Sequence, residues 1–166
     1  MKDKIDKLSR DKHLSFNEWV DLFNNIKTDD MEYAATLARD IQKSIFGNKV
    51  YMRGIVEFSN HCKNDCLYCG IRRSNKCVTR YRLSKEDILM CCDEGYKYGY
   101  RTFVLQSGED PYYKTNILID LIKSIKEKHP DAAVTLSLGE LEYDELKELR
   151  EAGADRYLLR HETADK

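Results

Sequence analysis

Proline is almost missing from this sequence, with two residues, and glycine is sparse at eight. Such a composition excludes a collagen-like or low-complexity chain and favours regular elements joined by short turns. Long apolar runs are missing too, since no stretch approaches the roughly 20 residues that a membrane-spanning helix needs. The opening Met1-Lys2-Asp3-Lys4-Ile5-Asp6 has neither the apolar segment nor the small-residue cleavage site of a secretory leader. The expected location is therefore cytoplasmic, with no membrane partner. No sign of charge dominates either. The 28 Lys and Arg against 29 Asp and Glu leave a net charge of −1, so nothing points to nucleic acid. Cysteine is absent over most of the length, with none before Cys62 and none after Cys92.

What is present is 42% hydrophobic residues in 166, enough for the core of one domain. All six cysteines crowd into one short stretch. A disulfide framework would staple distant segments and would need an oxidising compartment. Clustered cysteines in a chain expected in the cytoplasm read instead as a metal or redox site.

Residues 1–47 read as a helical preface, with 48–166 as the main domain. Ser15-Phe16-Asn17-Glu18 has the form of a capping box, followed by Trp19, Leu22, Phe23 and Ile26 at helical spacing. A further helix after Asp29 or Asp30 carries Tyr33, Leu37, Ile41 and Ile45 and stops at Gly47. The period then changes. Val50 to Phe58 reads as a strand, Ser84 to about Tyr98 as a helix and Thr102 to Leu105 as a second strand. Thr115 to Lys128 is helical, Ala132 to Leu138 extended, Glu142 to Glu151 helical and Arg156 to Leu159 extended. This alternation predicts an α/β fold of four parallel β/α units. Functional groups in such sheets gather where strands end. Those places are Ser59 to Cys69, Gln106 to Asp110, Leu138 to Glu140, and Arg160-His161-Glu162.

Cys62, Cys66 and Cys69 are spaced C-x3-C-x2-C. Three thiolates on one tight loop can ligate three irons of a [4Fe–4S] cluster and leave the fourth iron open to a small molecule. The competing reading is a zinc knuckle with Cys77 or His61 as fourth ligand. A loop placed directly after a parallel strand weighs against zinc. Cys91 and Cys92, inside a helix, read as small buried residues, and Cys77 is ambiguous. Arg72, Arg73, Lys76, Arg80 and Arg82 form a run of cations with no acid between them. It reads as a solvated loop, or as a counter-charge or docking surface.

With Tyr68 before its third cysteine, the motif resembles the signature of the radical S-adenosylmethionine (SAM) superfamily. That resemblance implies Cys62, Cys66 and Cys69 as cluster ligands and Tyr68 beside the adenine. Gln106-Ser107-Gly108-Glu109-Asp110 resembles the family's Gly-Gly-Glu element, which holds the SAM amino group, with Ser107 in place of the first glycine. The phrases Gly54 to Asn60, Val104 to Tyr112, Thr135 to Glu140 and Ala152 to Thr163 narrow the resemblance. They are similar to the E-type radical SAM maturases of [FeFe]-hydrogenase, relatives of biotin synthase and methylornithine synthase.

The resemblance implies a (β/α)8 barrel of which this sequence covers the first half, since four strands cannot close eight. It implies Ser137, Arg160 and Glu162 as further SAM contacts, and an organometallic iron precursor as substrate. Arg53, Thr135, Arg156 and Arg160 would face that substrate. Arg156 and Arg160, four apart in one strand, are expected to point to the same side and to offer planar donor forks to an anionic guest. An electron donor such as ferredoxin or flavodoxin, and other hydrogenase maturation proteins, are the implied partners. Two alternatives stay open: a truncated fragment that binds cluster and SAM without turnover, and a biotin synthase-like or mutase-like enzyme acting on an organic substrate.

Overall fold

The computed structural model describes residues 1–161, in two compact units, the first Met1–Tyr51 and the second starting at Met52. The first unit is helical: α1 (Lys2–Asp11), α2 (Phe16–Asn25) and α3 (Thr28–Phe46). The Ser15 capping box forms as the sequence predicts, the Ser15 amide donating to Glu18 Oε2 at 2.8 Å and the Glu18 amide to Ser15 Oγ at 3.4 Å. Ile5, Leu14 and Leu22 make a small core, with Trp19, Ile26, Tyr33 and Leu37 packed around it. Of the apolar face read along α3, Tyr33, Leu37 and Ile41 are half-buried, and Ile45 is 65% exposed.

The second unit alternates strand and helix: β1 (Gly54–Ser59), α4 (Lys85–Lys97), β2 (Thr102–Ser107), α5 (Thr115–Lys128), β3 (Ala133–Ser137), α6 (Tyr143–Glu151) and β4 (Arg156–Tyr157). The strands form one parallel sheet in the order β1-β2-β3-β4, as the alternation predicts. Successive side chains of a strand point to opposite faces, and register partners share a face. Phe58, Phe103, Leu105, Val134 and Leu136 therefore point one way and bury against Ile88, Leu121, Ile122 and Ile125 of the helices. The other face carries Ile55, Glu57, Val104, Gln106, Thr135, Ser137 and Arg156, in the rows Ile55-Val104-Thr135-Arg156 and Glu57-Gln106-Ser137.

Two strand boundaries differ from the sequence expectation. Val50 to Arg53 precede β1, because β2 begins at Thr102 and its first partner in β1 is Gly54. Arg53 is thus an exposed residue ahead of the sheet rather than part of the first strand. Among the described residues β4 pairs only with β3, through Arg156 and Tyr157, so Arg160 lies beyond it. Strand alternation does not place Arg156 and Arg160 on a common face.

At the end of β1 the register shifts, Glu57 facing Gln106 but Ser59 facing Ser107. One extra residue in β1 bends the chain as it enters the cysteine loop, the usual effect of a bulge.

Candidate metal centre and cofactor site

The cysteine loop leaves β1 and is fastened to the turn after β2. Lys63 donates its amide to the Glu109 carbonyl at 2.9 Å, and Gly108 lies so close that a Cβ there would stand 2.3 Å from the His61 carbonyl oxygen and 2.8 Å from Cys62 Cβ. Within the loop the Cys69 amide donates to the Cys66 carbonyl at 3.0 Å and the Arg73 amide to the Asn64 carbonyl at 2.9 Å. The Asn64 amide approaches Cys62 Sγ at 3.4 Å. Cys62 and Cys69 are half-buried and Cys66 is exposed, all as free thiols.

A buried ionic tether sits beneath the loop. The Asp110 carboxylate accepts from Arg82 Nε at 2.7 Å and Nη2 at 2.9 Å, from Ser59 Oγ at 2.6 Å and from the Tyr112 amide at 3.1 Å. Ser59 Oγ in turn accepts the His61 amide at 3.2 Å. One carboxylate thus links the end of β1, the start of the β2–α5 turn and the segment before α4. Burial alone would push the Asp110 carboxyl up, but the hydrogen bonds from Arg82 and Ser59 outweigh it and hold the group below its ordinary value. Its stabilising effect is present above the ordinary carboxylate pKa and is lost as pH falls through the depressed folded value. Asp110→Asn should cost about 2 kcal/mol at neutral pH. In denaturant titrations run from pH 7 to pH 3, the gap to wild type should narrow as the acid limit is approached.

Glu109 turns toward the β3–α6 turn. Its carboxylate pairs with Lys63 Nζ at 3.1 Å and accepts the Glu140 amide at 3.4 Å. Gly139 makes this possible: its φ is +85°, and a Cβ would lie 2.1 Å from Glu109 Cγ. Tyr157 donates its hydroxyl to the Gly139 carbonyl at 2.8 Å and so fixes the turn. Gly139→Ala should force Glu109 off this turn and cost about 2 kcal/mol through overpacking and left-handed backbone strain, which denaturant titration would read.

Of the residues expected at the site, the structure brings together Cys69, Gln106, Ser107 and Arg160. They line a cavity of about 260 Å³ with Glu57, Asn60 and Tyr81. Arg160 Nη2 donates to Gln106 Oε1 at 2.8 Å, and Gln106 Nε2 donates to Glu57 Oε1 at 3.1 Å. Ser107 turns its hydroxyl back onto the Gly108 carbonyl at 2.6 Å. A second cavity of about 950 Å³ is bordered by Ser107, Gly108 and Glu109 with Lys63 and Asn64. Neither cavity is lined by Cys62, Cys66, Tyr68, Ser137, Thr135, Arg53 or Arg156. Tyr68 is 69% exposed. Thr135 is buried beside Arg156 on the sheet face opposite Phe103 and Leu105, and its hydroxyl has no hydrogen-bond partner among the described residues. Glu162 lies outside the described residues. Glu57, which lines the smaller cavity, and Lys63, which lines the larger, were not singled out by motif reading. For Glu57, a carboxylate alternating with Val56 and Phe58 was the available signal.

Cys92 is buried, which pushes its thiol up to about 12. Cys91 is exposed, against the expectation that both would be buried. Among the described residues no three His, Cys, Asp or Glu side chains converge on a point that could hold one metal ion. In a cubane each thiolate takes a different iron, and Cys62, Cys66 and Cys69 are three free thiols on one fastened loop, the donor type and number that such a group takes. No helix among the described residues is long and apolar enough to cross a membrane.

The family model described as the radical SAM superfamily matches residues 56–166. This chain belongs to the radical SAM superfamily. It is 50% identical over 129 residues to the [FeFe] hydrogenase maturase subunit HydE of Thermotoga maritima, a match covering 78% of this chain and 36% of that protein. A crystal structure of methylornithine synthase (PylB) superposes with a TM-score of 0.80 at 30% identity, covering 98% of this chain and 48% of the other. The maturase HydG superposes with a TM-score of 0.85 at 27% identity, over 98% of this chain and 37% of the other. The chain thus spans less than half the length of each of these radical SAM proteins. Its four parallel strands and the helices between them correspond to part of their TIM-like barrel, and the family is one of enzymes that implies a [4Fe–4S] cluster and SAM.

Proposed function

We propose that this chain supplies the cluster-binding and SAM-binding part of a radical SAM enzyme that acts in assembly of the [FeFe]-hydrogenase active-site cluster. The observation that carries the reading is the docking of the C-x3-C-x2-C loop on the turn after β2, which makes Cys69, Gln106, Ser107 and Arg160 walls of one cavity. Cys62, Cys66 and Cys69 would hold the cluster. A reduced cluster held there would supply the electron for cleavage of SAM to methionine and a 5′-deoxyadenosyl radical.

The chain's own residues bind and orient. Gln106 is held between Glu57 and Arg160, so its carboxamide is fixed in direction and can present a defined edge to a bound nucleoside. Glu109 carries a negative charge beside the loop, already paired with an ammonium from Lys63, and suits the amino group of SAM. Tyr68, Gly108, Ser137 and Glu162 complete the proposed SAM contacts. Thr135 and Arg156, register neighbours on one sheet face, would present a hydroxyl and a guanidinium side by side to an anionic, cyanide-bearing iron substrate, with Arg53 and Arg160 as further cations. The 50% identity to HydE favours that substrate over an organic one. A ferredoxin or flavodoxin and other hydrogenase maturation proteins are the proposed partners, with no nucleic acid and no membrane.

Anaerobic reconstitution with iron and sulfide tests the reading. The expected result is a brown protein with about four irons per chain, a reduced-state electron paramagnetic resonance signal that shifts on adding SAM, and release of 5′-deoxyadenosine. A colourless protein holding one tight zinc would overturn it.

A further inference from the structure

The cationic stretch from Arg72 to Arg82 is the part of the sequence that the proposed function leaves unused. Three of its five cations turn onto the protein. Arg82 binds Asp110, and Arg72 Nη1 donates to the Cys69 carbonyl at 3.1 Å. Arg80 makes the densest set of contacts. Its Nη1 donates to the carbonyls of Asn60 and, at 2.9 Å, Ile71. Its Nη2 donates to the carbonyls of Arg72 at 2.7 Å and Asn75 at 3.1 Å.

The sequence positions of those carbonyls give the cluster its meaning. Asn60 stands two residues before Cys62, and Ile71 two residues after Cys69. A single guanidinium therefore ties both ends of the segment that carries the three thiols. Neighbouring bonds reinforce the closure: Asn60 Nδ2 donates to the Thr79 carbonyl at 2.8 Å, and the Tyr81 amide donates to Asn60 Oδ1 at 2.8 Å. Guanidinium suits the task because it is planar, permanently charged and carries five N–H donors, enough for four carbonyls converging from different directions. An ammonium has three donors on a flexible stem and cannot reproduce that fork.

We propose that Arg80 is the positioning residue of the cysteine loop, closing the neck of the loop so that the three thiols are held in place before any cluster is loaded. The inference deepens the proposed function and rests on it for the role of the thiols, whereas the clasp itself is a property of the polypeptide. Without the clasp, the cost of ordering the loop falls on cluster binding, and a loaded cluster is released more readily.

Arg80→Lys in the full chain tests this in two ways. In the metal-free protein, amide hydrogen exchange across residues 60–75 should speed up at least tenfold, while β2 and α5 keep wild-type protection. This arm needs no cluster, so it reads the clasp even if the proposed function fails. In the reconstituted protein, iron transfer to a chelator should run at least fivefold faster than in wild type. Unchanged exchange across 60–75 would overturn the proposal, and so would faster exchange spread equally over β2 and α5. Local loosening without faster iron release would overturn its link to the cluster. Wild-type protein that takes up no iron would count against the proposed function instead.

Discussion

Replacing any one of Cys62, Cys66 or Cys69 by serine should drop the reconstituted protein from about four irons per chain to fewer than one. The circular dichroism and thermal midpoint of the metal-free protein should stay within experimental error of wild type. The two halves of this prediction have separate physical origins. Loss of iron follows from ligand count, because a cubane held by three thiolates has no spare protein donor to replace a missing one. Preservation of the fold follows from what secures the loop. Its fastenings run through the Arg80 guanidinium and the Lys63 and Arg73 amides, none of which is a thiol. The Asn64 amide near Cys62 Sγ is the one sulfur contact among these, and a serine oxygen accepts it equally well. Cys77→Ser and Cys91→Ser are the controls, since both thiols are exposed and lie outside the loop. Both variants should keep full iron. If Cys77→Ser lost iron to the same degree as Cys66→Ser, the site would be a four-cysteine one and its open iron position would disappear.

The parallel α/β order was legible because hydrophobic period and turn chemistry are local properties. Ser15 and Ser84 cap their helices as their spacing with Glu18 and Asp87 predicts, and His129 closes α5. The strand ends were not legible, because a strand stops where its neighbour stops and the neighbour's extent is not written in the strand itself. Arg53 and Arg160 fell outside β1 and β4 for that reason. The site shows the same division. Three cysteines at fixed spacing announce themselves, as does Gly108 beside Glu109. Arg80 and Asp110 do not, since their work is done through carbonyls and side chains up to 51 residues away, as in the Ser59–Asp110 bond. A cation run in sequence looks like a solvated surface. Only the fold reveals that three of its members hold other segments together.

Gly108→Ala should be the most damaging single methyl that can be added near the site. The new Cβ would meet the His61 carbonyl oxygen at 2.3 Å and Cys62 Cβ at 2.8 Å, distances that no side-chain rotation relieves because both atoms belong to the root of the loop. Either the turn after β2 or the cysteine loop has to move. The turn is held by Asp110 through Arg82 and Ser59, and Ser59 also holds the His61 amide, so whichever segment yields, Cys62 shifts relative to the β2–α5 turn. Overpacking of this kind costs about 3 kcal/mol, a fall of about 10 °C in thermal midpoint for a chain of this size. Iron retention should fall further than stability does, because the displaced residue is itself a proposed ligand. Gly70→Ala is the matched control: it lies immediately after Cys69, yet a Cβ there meets nothing within 4 Å. That variant should retain both its midpoint and its iron. Equal behaviour of the two alanine variants, read by differential scanning calorimetry and iron analysis, would mean that the close approach of the β2–α5 turn to the cysteine loop does not set the geometry of the site.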